Sequence, residues 1–129
     1  MSQRSTGRPV FDASAVLALL QNEPGSDRLL ELQDDAVISA VNAAEVLAKL
    51  VNRGMPAGHA QVALDALHLE TVPFDSTMAG FSARYVARGV SLGDRCFLAT
   101  VQHYGSGWTS DRDLAALAGI STLPLNFFR

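Results

Sequence analysis

Four carboxylates in this sequence stand where chemistry could use them. Asp12 closes the apolar run Pro9-Val10-Phe11, and Glu45 lies among Ala43, Ala44, Val46 and Leu47. Asp94 opens onto a largely apolar stretch, and Asp111 follows Gly107-Trp108-Thr109. A carboxylate in apolar surroundings is costly unless it is paired or holds a metal. Several gathered in one cleft raise one another's pKa until a cation relieves the repulsion. Oxygen-only ligation, without His or Cys, suits Mg²⁺ or Mn²⁺, and such an ion can activate a water and stabilise charge on a phosphate. The structural reading of the same acids is that they cap or flank helix starts, where negative charge is favoured anyway. Asn42 and Glu45 even make an N-x-x-E pattern similar to a capping box, with Asn42 as N-cap. Spacing alone does not choose between the two readings.

Secondary candidates cluster beside the four. Ser14 and Thr109 could orient a ligand or a water, although a hydroxyl before a helix is most often a cap. Asp113 is an additional acid, readable as a peripheral ligand or as a first-turn helix acid. Arg95 and Arg112 each directly follow a candidate acid; a guanidinium there suits a phosphate or a partner's carboxylate equally, or neutralises the acids themselves. His59, His68 and His103 have no ligand spacing between them, and Cys96 reads as a small core residue. Trp108 reads as core, while Phe127 and Phe128 fold back onto the sheet or meet a partner.

The elements that must position these residues alternate. Strands are predicted at 9–11, 36–39, 71–74, 107–109 and 122–124. Helices are predicted over 13–20, 26–32, from 42 to the Gly54-Met55-Pro56 break, over 57–68, from the Asp75-Ser76 cap to Arg88, over 95–103 and over 111–117. This layout predicts an α/β domain over residues 9–129, with a short, mainly parallel sheet of four or five strands. Residues 1–8 read as a flexible tail. In such sheets the ligand site lies beyond the carboxyl ends of the strands at a switch in strand order, where Asp12 and Asp111 fall.

Composition limits the alternatives. At 129 residues, 48% hydrophobic and 18% charged, the chain is too apolar to be disordered and long enough for one core. A net charge of −3 speaks against a nonspecific nucleic-acid coat. A single cysteine excludes an intramolecular disulfide and a Cys-rich zinc site. No stretch is long enough to span a bilayer or serves as a signal peptide, so a cytoplasmic protein is expected. A receiver-like phosphotransfer domain needs a lysine ending a strand, and the only lysine, Lys49, falls inside a predicted helix.

The segments VFDASAVLALL, ISAVNAAEVLAKL, GVSLGDRCFLAT and WTSDRDLAAL occur in an order and at separations that resemble the PIN-domain nucleases, and among them the VapC-type toxins of bacterial toxin–antitoxin pairs. The resemblance runs from Val10 to the C-terminus, and SLGDR before an apolar helix is its most specific piece. It implies a PIN-like three-layer α/β/α domain. It joins Asp12, Glu45, Asp94 and Asp111 into one catalytic, metal-binding quartet for Mg²⁺, with Mn²⁺ as a substitute. The implied activity is an endoribonuclease that needs no protein nucleophile, held in check by an antitoxin and assembling as a homodimer and in larger toxin–antitoxin complexes. Position 13 is Ala where the family frequently has a small hydroxyl residue, which leaves Ser14 as the nearby hydroxyl. The alternative is a catalytically weak PIN-like binding module.

Overall fold

The computed structural model describes residues 7–118 and 123–129. Five strands, β1 (Arg8–Phe11), β2 (Val37–Ser39), β3 (Glu70–Val72), β4 (Gly105–Thr109) and β5 (Leu125–Phe127), form one sheet in the order β3-β2-β1-β4-β5. Every pairing in it is parallel. The connecting helices are α1 (Ala13–Gln21), α2 (Ser26–Leu32), α3 (Ala40–Asn52), α4 (Ala57–Asp65), α5 (Ser76–Ser82), α6 (Leu92–Tyr104) and α7 (Leu114–Ala118).

Alternation along the strands splits the core in two, because successive strand residues face opposite sides of a sheet. Phe11, Ile38 and Trp108 pack on one face against Val16 and Leu17 of α1, Leu29 of α2, Val46 and Leu50 of α3 and Leu64 of α4. Val10, Val37 and Val72 pack on the other against Phe97, Leu98 and Val101 of α6, with Tyr85 and Leu114. The three-layer arrangement follows, since a sheet apolar on both faces needs helices on both. Phe11, Phe97, Leu29, Ile38 and Leu98 are among the largest fully buried side chains. Burial of each such group contributes about 1.5–3 kcal/mol.

Several boundaries differ from the sequence expectation, each for a local reason. Arg8, placed in the tail, belongs to β1: it pairs with Gly105, donates through Nε to the Asp35 carbonyl and forms an ion pair with Glu70 at 2.7 Å. Residues 1–6 of the expected tail lie outside the described residues. The last strand begins at Leu125 instead of spanning 122–124; Thr122 is outside the described residues, and Pro124 has no N–H for the ladder but accepts one from Gly107 at 2.8 Å. The helix expected to reach Arg88 stops at Ser82, followed by a 3₁₀ turn over Ala83–Tyr85. The fourth helix ends at Asp65, three residues early, and β3 starts at Glu70.

The two aromatic residues near the C-terminus fold back. Phe127 pairs with Thr109 in the sheet, and Phe128 is buried against the α1–α2 connection. Gly25 makes that possible. Its φ is +90°, and a Cβ there would lie 2.2 Å from the Phe128 carbonyl oxygen. Gly25→Ala is therefore expected to destabilise the fold by about 2–3 kcal/mol, through strain and through displacement of the C-terminal segment. Urea unfolding measures it; a loss below about 0.5 kcal/mol would mean the segment does not rest on this glycine.

Candidate functional site

The strand order reverses between β1 and β4, and the crevice at their carboxyl ends is where a parallel sheet opens to a ligand. Asp12 stands at that point, one residue beyond β1. It is the N-cap of α1, and its Oδ1 accepts the Ala15 N–H at 3.0 Å and the Ser14 hydroxyl at 2.6 Å. Its Oδ2 accepts the hydroxyl of Thr109, the last residue of β4, at 2.5 Å. The Thr109 hydroxyl in turn accepts the Asp111 N–H at 3.0 Å, and the Ser14 hydroxyl accepts the Ser110 N–H at 3.1 Å. Two hydroxyls thus tie the Asp12 carboxylate to the turn that carries Asp111.

Glu45 and Asp94 approach from the other side, on α3 and α6. The expected capping by Asn42 is not observed: α3 starts two residues earlier, with Ser39 as N-cap accepting the Asn42 N–H at 3.0 Å. Released from that role and buried, Asn42 becomes a bridge. Its Nδ2 donates to Glu45 Oε1 at 2.8 Å and to the Gly93 carbonyl at 3.2 Å, joining α3 to the start of α6. Asp94 is the third residue of α6, not its first. It forms a reciprocal capping box with Ser91: its N–H donates to the Ser91 hydroxyl, and its Oδ2 accepts the Ser91 N–H, both at 3.1 Å. Asp111 precedes α7, which begins at Leu114 and not at Asp111 as expected, and its Oδ1 accepts the Asp113 N–H at 3.1 Å.

Asp12, Glu45, Asp94 and Asp111 line one cleft of about 240 Å³, together with Ala13, Ser14, Asn42, Lys49, Ser91 and Gly93. The structural and functional readings of these acids therefore coexist. Each carboxylate spends part of its accepting capacity on a cap, a turn or a neighbouring amide, and each retains lone pairs beyond those bonds. A larger cavity of about 400 Å³ lies away from all four, between α4 and β3, against Leu64, Asp65, His68, Leu69 and Thr71. It gathers no comparable set of acids.

Asp12 is the electrostatically stressed member, only 8% exposed. Burial pushes its pKa above the usual carboxylate value; the bonds from Ser14, Thr109 and Ala15 pull it back, and the Asp94 charge raises it further. The folded protein thus holds this proton more tightly than the unfolded chain. Without metal, stability is expected to fall as pH rises from the ordinary carboxylate value through Asp12's raised one. Thermal melts across about pH 4–8 in chelator measure this, and a stability that rises over the part of that range above the ordinary value would contradict it.

The donor set fits a hard cation. It consists of carboxylates, hydroxyls and an amide, with no sulfur or imidazole, which suits Mg²⁺ or Mn²⁺. Among the described residues no three His, Cys, Asp or Glu side chains are already gathered as a metal cage. Gly93 supplies the close approach: a Cβ on it would sit 2.1 Å from Glu45 Oε2 and 2.5 Å from Glu45 Cδ. The space a side chain would occupy there is filled by the Glu45 carboxylate.

The remaining candidates separate. Ser14 and Thr109 join the site as described. Asp113 is exposed and contributes only its backbone N–H. Arg112 turns away, donating from Nε to the Arg129 carbonyl at 3.0 Å with its guanidinium over the Phe127 ring. Arg95 is half-buried and makes no ion pair among the described residues. Trp108 is core, with the Arg28 guanidinium 5.3 Å from its ring centroid. Cys96 is buried, and burial pushes its thiol pKa up, which makes it a poor nucleophile. Sequence reasoning missed Gly93, Lys49 and Ser91. Gly93 falls before the predicted helix start at 95 and so reads as loop; only the observed start at Leu92 places it in the first turn of α6, where a glycine points to a close approach.

No described helix is long and apolar enough to cross a membrane. Residues 10–120 match the PIN domain family. No curated protein matches the chain. Among solved structures, that of VapBC2 from Rickettsia felis bound to a DNA fragment from their promoter contains a chain of the same fold. It superposes with a TM-score of 0.69 at 15% identity, over 92% of this chain and 97% of that one.

Proposed function

Because the chain belongs to the PIN domain family, we propose that it is a divalent-metal-dependent endoribonuclease, the toxin of a toxin–antitoxin pair. The observation that carries the reading is the convergence of Asp12, Glu45, Asp94 and Asp111 on one cleft at the switch point of a parallel sheet. Four acids from four separate segments of the chain have no structural need to meet. Asp12, Asp94 and Asp111 would hold the ion, with Glu45 completing the set across the Gly93 gap. Mg²⁺ is the expected ion and Mn²⁺ its substitute. Bound there, it supplies Lewis acidity toward a phosphate and a lowered pKa for water.

The chain's own residues provide the frame. Thr109 and Ser14 fix the Asp12 carboxylate against the Asp111 turn, and Asn42 sets the distance between Glu45 and the start of α6. Burial of Asp12 keeps water away from that end of the cleft, which strengthens electrostatic interactions with a developing phosphate charge. Hydrolysis by an activated water leaves a 5′-phosphate and a 3′-hydroxyl, and no side chain is consumed.

The toxin role draws on the structure of VapBC2 bound to a DNA fragment from their promoter, which contains a chain of the same fold. A cognate antitoxin inserting a basic residue toward the acidic cleft, a homodimer and a larger assembly extend this reading. Purified protein with Mg²⁺ or Mn²⁺ is expected to cleave structured RNA, to stop in chelator, and to lose cleavage on Asp94→Asn. RNA left intact by wild type and variant alike, with no Mg²⁺ uptake by titration calorimetry, would identify the chain instead as a PIN-like binding module.

A further inference from the structure

We infer that Lys49 is the residue of the cleft that binds a backbone phosphate of the incoming RNA strand. The inference rests on the nuclease reading for its substrate and on the structure for the residue. Lys49 is the only lysine of the chain, and it is the only cationic side chain lining the cleft among the described residues. It lies on α3 four residues after Glu45, so both project from one face of the helix a single turn apart.

Although it lines the same cleft as Asp12, Glu45, Asp94 and Asp111, its ammonium forms no ion pair and no hydrogen bond among the described residues, and Lys49 is exposed. The ammonium thus stands on the wall of the cleft with no acid bonded to it among the described residues.

Charge explains why the cleft needs it. Four carboxylates bring four negative charges to the cleft, and one divalent ion returns two. A polyanion still meets a net negative mouth, and charges beyond about 8 Å are screened at physiological salt. Arg112 is spent on the Arg129 carbonyl and the Phe127 ring, and Arg95 does not line the cleft. Lys49 is the cation that lines the cleft itself. As a point charge on a flexible stem it suits a phosphate whose position varies from one RNA to the next.

The test compares wild type, Lys49→Ala and Lys49→Arg. One arm is steady-state cleavage of a labelled single-stranded RNA in Mg²⁺; the other is anisotropy binding of single-stranded DNA of the same sequence, which carries the same phosphates. Lys49→Ala is expected to raise KM by about three- to tenfold with kcat within about twofold. It should also flatten the log–log salt dependence of DNA binding by about 0.7, one phosphate's worth. Lys49→Arg should restore most of both. Unchanged KM and salt slope overturn the inference, as does a fall in kcat at constant KM, or a change confined to Mg²⁺ affinity, which would make Lys49 a neutraliser of Glu45. If wild type cleaves no RNA, the nuclease reading falls, while the salt slope on DNA still decides the role of Lys49.

Discussion

Asp12→Asn is expected to lower RNA hydrolysis by about 100-fold or more while raising the midpoint of thermal unfolding in metal-free buffer. The two effects come from one atom group. The carboxylate is buried, its pKa is raised mainly by that burial, and at neutral pH its charge is a cost to the folded state. Asparagine keeps an oxygen for the Ser14 hydroxyl and the Ala15 N–H, so the α1 cap survives. The Thr109 hydroxyl, which now donates to Asp12 while accepting from Asp111, can turn to accept from the new amide as well. Geometry is kept and charge is lost.

For a chain of this size about 1 kcal/mol moves the midpoint by roughly 3–5 °C, a shift that scanning calorimetry resolves. Mg²⁺ should stabilise wild type and leave the variant nearly unmoved, because a ligand stabilises only the state that binds it. A variant less stable than wild type in chelator would show that Asp12 serves the fold first, as a cap, and the site second.

Gly93→Ala is the second large effect, and the smallest chemical change that should produce one. The added methyl carbon would lie 2.1 Å from Glu45 Oε2 and 2.6 Å from Oε1, well inside van der Waals contact. Something must shift: either the Glu45 side chain leaves its place beside Asn42, or α3 and α6 separate. Away from such a contact, alanine in a helix is favoured over glycine by about 1 kcal/mol. The balance between relief and clash is therefore read best in function. Cleavage is expected to fall about 10–100-fold, as for residues that orient metal ligands, with a matching loss of Mg²⁺ affinity by titration calorimetry. Undiminished activity would mean that the Glu45 carboxylate works from another position.

Much of this was legible in the sequence because the relevant signals are local. Asp12 closes an apolar run and opens an apolar helix, so its place at a sheet edge could be read from a few residues. Cys96 and Trp108 read as core for the same reason, and they are core. What the sequence misplaced depends on partners far along the chain. Asn42 looked like a cap because Glu45 follows it by three, yet Ser39 caps, and Asn42 instead bonds Gly93, 51 residues away. Arg112 sits beside Asp111 in sequence, but the returning C-terminal strand captures it. Lys49 read as one helix residue among many, and only the packing of α3 against α6 turns it toward the acids.

The strand order also governs when the cleft comes into being as the chain is synthesised. β1 lies at the centre of the sheet, yet one of its two neighbours is β4, about a hundred residues downstream in the register Arg8↔Gly105. Until that strand emerges from the ribosome, the central strand has an open edge, Asp12 lacks its Thr109 partner, and the wall bearing Asp111 does not exist. Such long-range parallel pairing is slow to form. A nascent or interrupted chain therefore lacks the complete cleft, which is assembled only when the last strands dock.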